Sequence, residues 1–224
     1  MRILIINPNS DPTMTEAIRK SAADYAGDRF DVVCEPTPGA PKFIETYQDN
    51  IAAAPGMLRL VKEYEREVDA IVVACHGDPN IDAIKESTTK PVVGIGEASM
   101  KIASMLGHSF SVVTTAKRSI PPKEVQARKY HLQDLLVSVR APEADASDCE
   151  DERLFLDLAR LAVEQDLAEV IVLGCAGLTG MDKLIQSELG VPALDGVVCA
   201  LIVAEGLVRY GASTSKVLGF NPEW

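Results

Sequence analysis

Part of this chain occurs twice, and that repetition limits its fold more than any other feature. VDAIVVACHGDPNIDAIKESTTKPVVG, from Val68, lies over AEVIVLGCAGLTGMDKLIQSELGVPALDG, from Ala168. In each copy an apolar run ends in cysteine, glycine follows two positions later, a segment of helical period comes next, and proline opens another apolar run. The cysteine and that proline are 16 positions apart in one copy and 17 in the other. Upstream, the Asp31–Pro36 run and the Leu135–Pro142 segment each close near a proline, and the opening run to Asn7 matches the run to Thr114. A duplicated chain of this kind is expected to form two similar units.

Eight short β-branched runs carry the strands: Arg2–Ile6, Asp31–Glu35, Val68–Ala74, Pro91–Ile95, Phe110–Thr115, Leu135–Val139, Ala168–Gly174 and Pro192–Asp195. They are continuously apolar rather than alternating, which predicts parallel strands buried on both faces. Helices are predicted between them at 12–26, 51–66, 79–88, 97–106, 121–130, 150–166, 181–189 and 196–210. Asp11-Pro12 and Asp78-Pro79 each place a capping residue before a proline suited to a first turn, and Asp195 before Gly196 is a third candidate cap. The expected architecture is α/β, with two pseudo-symmetric lobes, each a four-stranded, mainly parallel sheet flanked by helices, and the active site in the cleft between them. Residues 1–96 with about 207–224 would form the N-terminal lobe and 97–206 the C-terminal lobe. The acidic stretch Glu143–Glu152 reads as a solvated loop or helix start, with Cys149 in no chemical company.

Composition narrows the function classes. With 47% hydrophobic and 25% charged residues, 224 residues can build a core without disulfides or metal. A formal net charge of −11 and the lack of a basic stripe exclude nucleic-acid binding. The apolar start of MRILIINPNSDP is too short for a signal sequence, and no run approaches the ~20 apolar residues of a membrane span. A soluble, cytoplasmic protein is therefore expected. The five cysteines, Cys34, Cys75, Cys149, Cys175 and Cys199, are odd in number and widely spaced, so thiols are expected rather than a disulfide framework or a metal site.

In open parallel sheets, ligands gather at the carboxyl ends of strands, where loops enter helices. Cys75 and Cys175 both fall there. Helix N-termini present unpaired N–H groups that favour thiolate over the ordinary thiol of pKa ~8.5. Gly77 and Gly177 let the backbone approach a ligand closely. Two thiols on opposite sides of one cleft suit stereoinversion, because one takes a proton from a carbon acid and the other returns a proton to the opposite face. Turn N–H groups would stabilise the enolate oxygen. Cys34, inside a strand, and Cys199, on an apolar helix face with Val197, Val198, Leu201 and Ile202, read as packing residues.

At these residues the chain resembles the aspartate/glutamate racemase superfamily, and within it the hydantoin racemase group that includes allantoin racemases. The likeness runs through INPNS (Ile6–Ser10), Ile44-Glu45, ACHGDP (Ala74–Pro79), VVGIGEAS (Val92–Ser99), VVTT (Val112–Thr115), GCAGL (Gly174–Leu178), VPALDG (Val191–Gly196) and TSK (Thr214–Lys216). The resemblance implies an isomerase of small molecules that needs no cofactor, assembles as a homo-oligomer, and uses Cys75 and Cys175 as acid and base. It also implies substrate contacts from Asn9, Ser10, Ile44, Thr114 and Thr115, and from backbone groups of His76, Gly77, Ala176 and Gly177.

Departures from the wider superfamily point to the substrate. Its amino-acid racemases typically carry an acidic residue after the first strand and Thr-His after the second cysteine. This chain has Asn7 and Asn9 at the first place and Ala176-Gly177 at the second. Neutral donors and acceptors suit an uncharged cyclic amide better than a zwitterion. A 5-substituted hydantoin or allantoin is therefore the expected substrate. The alternatives are a carboxylate such as an acidic amino acid or maleate, or a non-catalytic sensor of small molecules. Two cysteines argue against the single-cysteine arylmalonate decarboxylases. His76 stands where hydantoin racemases usually have Phe; it is open to polarising Cys75, contacting a carboxylate, or packing between helix and sheet. His108 and His131 read as surface residues, Glu97 as compensation of a helix dipole, and Gly94–Gly96 as no phosphate-binding fingerprint.

Overall fold

The computed structural model describes residues 1–143 and 151–223. Cys149 and most of the acidic stretch around it lie outside the described residues. The chain divides into two compact units, Met1–Ile95 with Ala200–Trp224, and Gly96–Cys199.

The first unit contains β1 (Arg2–Asn7), α1 (Pro12–Ala26), β2 (Asp31–Pro36), α2 (Tyr47–Tyr64), β3 (Ala70–Val73), α3 (Ile81–Ser87) and β4 (Val92–Gly94). Its sheet has the order β2-β1-β3-β4, with every pairing parallel. Side chains alternate between the faces of a strand. Leu4, Ile6, Ile71 and Val73 accordingly meet Met57, Leu60 and Val61 of α2 and Ile81 and Ile84 of α3 in one core layer. Ile3 and Ile5, on the alternate positions, are also fully buried, as are Ile18 and Ala22 of α1.

In the second unit come α4 (Ile95–Leu106, entered from the first unit), β5 (Phe110–Val113), α5 (Ile120–Lys129), β6 (Leu136–Arg140), α6 (Glu152–Glu164), β7 (Val170–Leu173), α7 (Met181–Leu189), β8 (Ala193–Leu194) and the start of α8 (Gly196–Tyr210). The order β6-β5-β7-β8 repeats that of the first sheet, and its pairings are also parallel. Val113, Ile171 and Leu173 pack with Phe155, Ala159 and Ala162 of α6 on one face. Phe110, Val112, Val170 and Val172 pack with Met100, Ala103 and Ala127 on the other. Full burial of a side chain such as Phe155 or Ile185 contributes about 1.5–3 kcal/mol relative to exposure.

The helix starts follow from local chemistry, and two of those that differ from the sequence expectation have a visible cause. Asp11 caps α1 through Met14 N–H at 2.9 Å, and Asp151 caps α6 through Leu154 N–H at 3.0 Å. α2 starts at Tyr47 rather than 51, because Thr46 and Asp49 form a reciprocal capping box upstream of the apolar run. Pro55 lies inside that helix. The other difference concerns Asp78-Pro79, which does not begin α3. That helix starts at Ile81 after Asn80 in the left-handed region at φ 58°, and Asp78 itself has φ 47°. The chain end returns to α3, where the Lys216 ammonium donates to the carbonyls of Lys85 at 2.6 Å and Glu86 at 2.9 Å, the exposed negative end of that helix.

Candidate active site

Two turns at the carboxyl ends of inner strands carry Cys75 and Cys175. After β3, Ala74 N–H donates to Ile6 O at 2.8 Å and extends the ladder by one residue. Cys75 follows, and Asp78 N–H closes the turn on Cys75 O at 2.9 Å. After β7, Gly174 N–H donates to Val113 O at 2.7 Å, and Leu178 N–H closes on Cys175 O at 3.1 Å. In the second turn Gly177 N–H also points at Cys175 Sγ, 3.4 Å away. Both cysteines are half-buried. The residue after each is almost fully covered, His76 at 1% exposure and Ala176 at 6%. A Cβ on Gly77 would come no nearer than 4.0 Å to Cys75 Sγ and within 4 Å of nothing else, so a side chain there would sit in open space beside the sulfur.

The other predicted contacts gather in the same two places. In the first unit, Asn9 and Ser10 follow β1, the strand next to β3. The Asn9 side chain is engaged within its own loop: Oδ1 accepts from Asn7 Nδ2 at 2.8 Å and from Asp11 N–H at 2.9 Å. Nδ2 of Asn9 lies 3.1 Å from Met14 Sδ, which it meets as donor. Asn7 also donates to Thr15 Oγ1 at 2.9 Å, and its carbonyl accepts from Thr37 Oγ1 at 2.7 Å. Ser10 is exposed, with its N–H on Pro41 O at 3.0 Å. Ile44, between β2 and α2, packs on the apolar layer of that unit. In the second unit Thr114 and Thr115 follow β5, next to β7. Thr114 is buried with its N–H on Arg140 O at 2.8 Å, and Thr115 is half-buried.

The remaining described cysteines have a different environment. Cys34 and Cys199 are both 2% exposed, and burial pushes each thiol up to about 12. Cys34 donates to Thr15 O at 3.6 Å. Thiols of this kind stay protonated and pack as small apolar groups. Among the described residues, no group of three or more His, Cys, Asp or Glu is arranged to hold a metal ion, and no helix is long and apolar enough to cross a membrane. His108 is exposed beside Glu169, at 3.4 Å, and His131 is exposed at φ 60°. Glu97 lies in the first turn of α4 and pairs with Lys101 at 2.6 Å.

Sequence reading identified Asp195 only as a helix cap. Its Oδ1 does accept from Val197 N–H at 2.7 Å, but Oδ2 accepts from Gly180 N–H at 3.1 Å and from the Thr179 hydroxyl. It therefore ties the Cys175 turn to α8. Asp78, likewise, holds its carboxylate over Gly94, where any Cβ would collide with it. The signal available in the sequence was the position of Asp195 three residues after Pro192, where the first copy has Gly94 three residues after Pro91.

Comparison with known proteins shows the family. A hydantoin racemase from Pseudomonas sp. (strain NS671) is 40% identical, over 97% of this chain and 90% of that protein. The solved allantoin racemase from Klebsiella pneumoniae superposes with a TM-score of 0.94 at 32% identity, covering 98% of this chain and 92% of that one. The allantoin racemase from Pseudomonas fluorescens gives 0.91 at 35%, covering 98% and 96%. The family model described as Asp/Glu/Hydantoin racemase matches residues 3–204, and the chain belongs to that family.

Proposed function

We propose that this protein is a racemase of hydantoins, 5-substituted hydantoin or allantoin, and that Cys75 and Cys175 are its acid–base pair. The observation that carries the reading is the equivalence of the two turns. Each places a half-buried thiol one residue beyond the same inter-strand hydrogen bond, and each closes on the cysteine carbonyl. A chain 40% identical to a hydantoin racemase supports the substrate class.

The carbon to be inverted in a hydantoin lies between a carbonyl and a ring nitrogen. In the proposed reaction one cysteine, as thiolate, removes its proton. Charge moves to the carbonyl oxygen, where backbone N–H groups beside the thiols, at His76, Gly77, Ala176 and Gly177, are the proposed donors. The other cysteine, as thiol, then delivers a proton to the opposite face. The two exchange protonation states, and solvent exchange resets them. Asn9, Ser10, Ile44, Thr114 and Thr115 are the proposed substrate contacts. Asn9 would act through the loop it holds together, since its amide is already engaged there. The N–H that Gly177 aims at Cys175 Sγ is a contact an anionic sulfur accepts well. No cofactor is required by this chemistry, so enzyme dialysed against EDTA should keep its rate.

The test is α-proton exchange in D2O followed by NMR and polarimetry, across enantiopure 5-substituted hydantoins, allantoin and acidic amino acids, against enzyme-free controls. Exchange with loss of optical rotation for a hydantoin or allantoin is expected. Activity confined to acidic amino acids would reject the substrate class, and saturable binding without exchange would reject the racemase reading.

A further inference from the structure

In both copies of the repeat, a buried carboxylate lies between the cysteine turn and the end of the next strand, but it comes from opposite sides. In the second unit it is Asp195, one step beyond the Val172–Leu194 pair of β7 and β8. Its Oδ1 accepts from Val197 N–H at 2.7 Å and Val198 N–H at 3.4 Å. Its Oδ2 accepts from Gly180 N–H at 3.1 Å and from Thr179 Oγ1. Thr179 N–H donates to Ala176 O at 3.2 Å, Leu178 N–H to Cys175 O at 3.1 Å, and Gly177 N–H to the sulfur at 3.4 Å. The carboxylate thus fixes the far end of the turn that holds Cys175.

In the first unit the position matching Asp195 is Gly94, which pairs with Val73 at the end of β3 and β4. The acid comes instead from within the cysteine turn. Asp78 occupies the place of Leu178 and makes the same bond, its N–H on Cys75 O at 2.9 Å. It is 5% exposed and held at φ 47°, a conformation that a non-glycine residue keeps only where its surroundings enforce it. Its carboxylate lies against Gly94, in the volume a side chain there would need. What one copy supplies from the strand end, the other supplies from the turn, opposite a glycine that makes room for it.

We propose that Asp78 and Asp195 are equivalent positioning residues, each fixing the turn that carries one reactive cysteine, with the acid and its facing residue exchanged between the two copies. This rests on the reading of Cys75 and Cys175 as the acid–base pair. Neither aspartate is assigned contact with substrate; each acts through the backbone of its turn.

The test relocates the acid. Asp78→Gly removes the carboxylate while tolerating the left-handed backbone, and Gly94→Asp introduces one on the facing strand, as in the second unit. Asp78→Gly should lower kcat for racemisation by about tenfold or more, the scale of a lost hydrogen bond to a charged group, and Gly94→Asp alone should lower it as well, because its side chain collides with the Asp78 carboxylate. The double variant should recover part of that loss, because an Asp at 94 can accept from Asn80 N–H as Asp195 does from Gly180 N–H, although Pro79 offers no counterpart of the Thr179 hydroxyl. For the second unit, Asp195→Asn keeps one oxygen to cap α8 and an NH2 that can donate to the Thr179 hydroxyl, but it sets a donor against Gly180 N–H, so the tie to the turn is weakened while the helix cap remains.

Residue-resolved labelling with iodoacetamide supplies a readout that general destabilisation would not mimic. Asp195→Asn should change the labelling rate of Cys175 by about tenfold and leave Cys75 unchanged, and Asp78→Gly should do the reverse. The proposal is overturned if the double variant is no better than the worse single, or if each substitution alters both thiols equally or neither. Should Cys75→Ser and Cys175→Ser racemise normally, the acid–base reading fails, while labelling still decides the positioning claim.

Discussion

At matching places in the two sheets, Ile6 of β1 pairs with Glu35 of β2, and Val113 of β5 pairs with Arg140 of β6. Both edge-strand residues tie to the helix that precedes the cysteine-bearing strand, but with opposite charge. Glu35 accepts from the Tyr64 hydroxyl at 3.2 Å at the end of α2, whereas Arg140 holds Asp166, just after α6, through two bonds of 2.6 and 2.7 Å. The cysteine turns differ in the same way. Ala74 and Gly174 make the same inter-strand bond, Asp78 and Leu178 the same closing bond, yet their side chains are unrelated. The duplication preserves backbone register and the placing of a thiol, and leaves the surrounding chemistry to vary. A repeat held by main-chain hydrogen bonds allows this, because those bonds are indifferent to which side chain stands above them.

The largest effect is expected at the feature the turns share. The double variant Cys75→Ser/Cys175→Ser should lose racemisation by about 10²–10⁴-fold, and by little more than either single variant, as the proposed acid–base pair requires. Additive losses in kcat would show that the two thiols do not act as one unit. Next is the position where the turns differ most in packing. A Cβ on Gly174 would lie 2.6 Å from Val112 Cγ1 and 2.9 Å from Val113 O, so Gly174→Ala should cost about 1–3 kcal/mol in urea unfolding. The equivalent Ala74 already carries that methyl, fully buried in a fold that accepts it. Equal stability of Gly174→Ala and wild type would mean that the two strand ends are packed alike after all.

The edge-strand anchors should separate with pH. The Arg140 hydrogen bond, above all, holds the Asp166 carboxyl below its usual range, with burial opposing it. The stability this adds is complete above the unfolded carboxyl value of about 3.9 and disappears as pH falls through the lower folded value. The urea midpoints of wild type and Asp166→Asn should therefore differ at neutral pH and converge in acid; a gap that persists at the lowest pH contradicts the assignment. The Tyr64 phenol is shifted the other way, raised chiefly by burial and then by Glu35. The packing thiols should also stand apart from the turn thiols. At about pH 8 Cys34 and Cys199, each raised to about 12, should label far more slowly than Cys75 and Cys175 until the protein unfolds. The smallest effect is expected for His76→Phe. If the buried imidazole serves only packing, turnover should stay within a few-fold of wild type; a collapse with intact folding would make His76 a participant in the reaction.

Periodicity alone makes the architecture readable. The eight apolar runs became the eight strands among the described residues, and their two sheets share one order. The cysteine positions were readable because strand ends are marked by where the apolar run stops. Less legible was whatever depended on backbone sign or close approach. Asp78-Pro79 has the sequence of a helix start, yet the left-handed residues Asp78 and Asn80 delay α3 to Ile81. Similarly, the capping box at Thr46 and Asp49 lies outside the apolar periodicity of α2 and so was missed. The exchange of acid between Asp78 and Asp195 was not legible either, because it needs both the repeat alignment and the knowledge that Gly94 lies under a carboxylate.

If the two thiols serve opposite faces of one carbon, isotope exchange with single enantiomers of a hydantoin will separate their roles. Cys75→Ser and Cys175→Ser should each stop inversion, while any remaining wash-in of solvent deuterium should be confined to one enantiomer, a different one in each variant. Inversion by both variants at the wild-type rate would contradict the two-thiol mechanism.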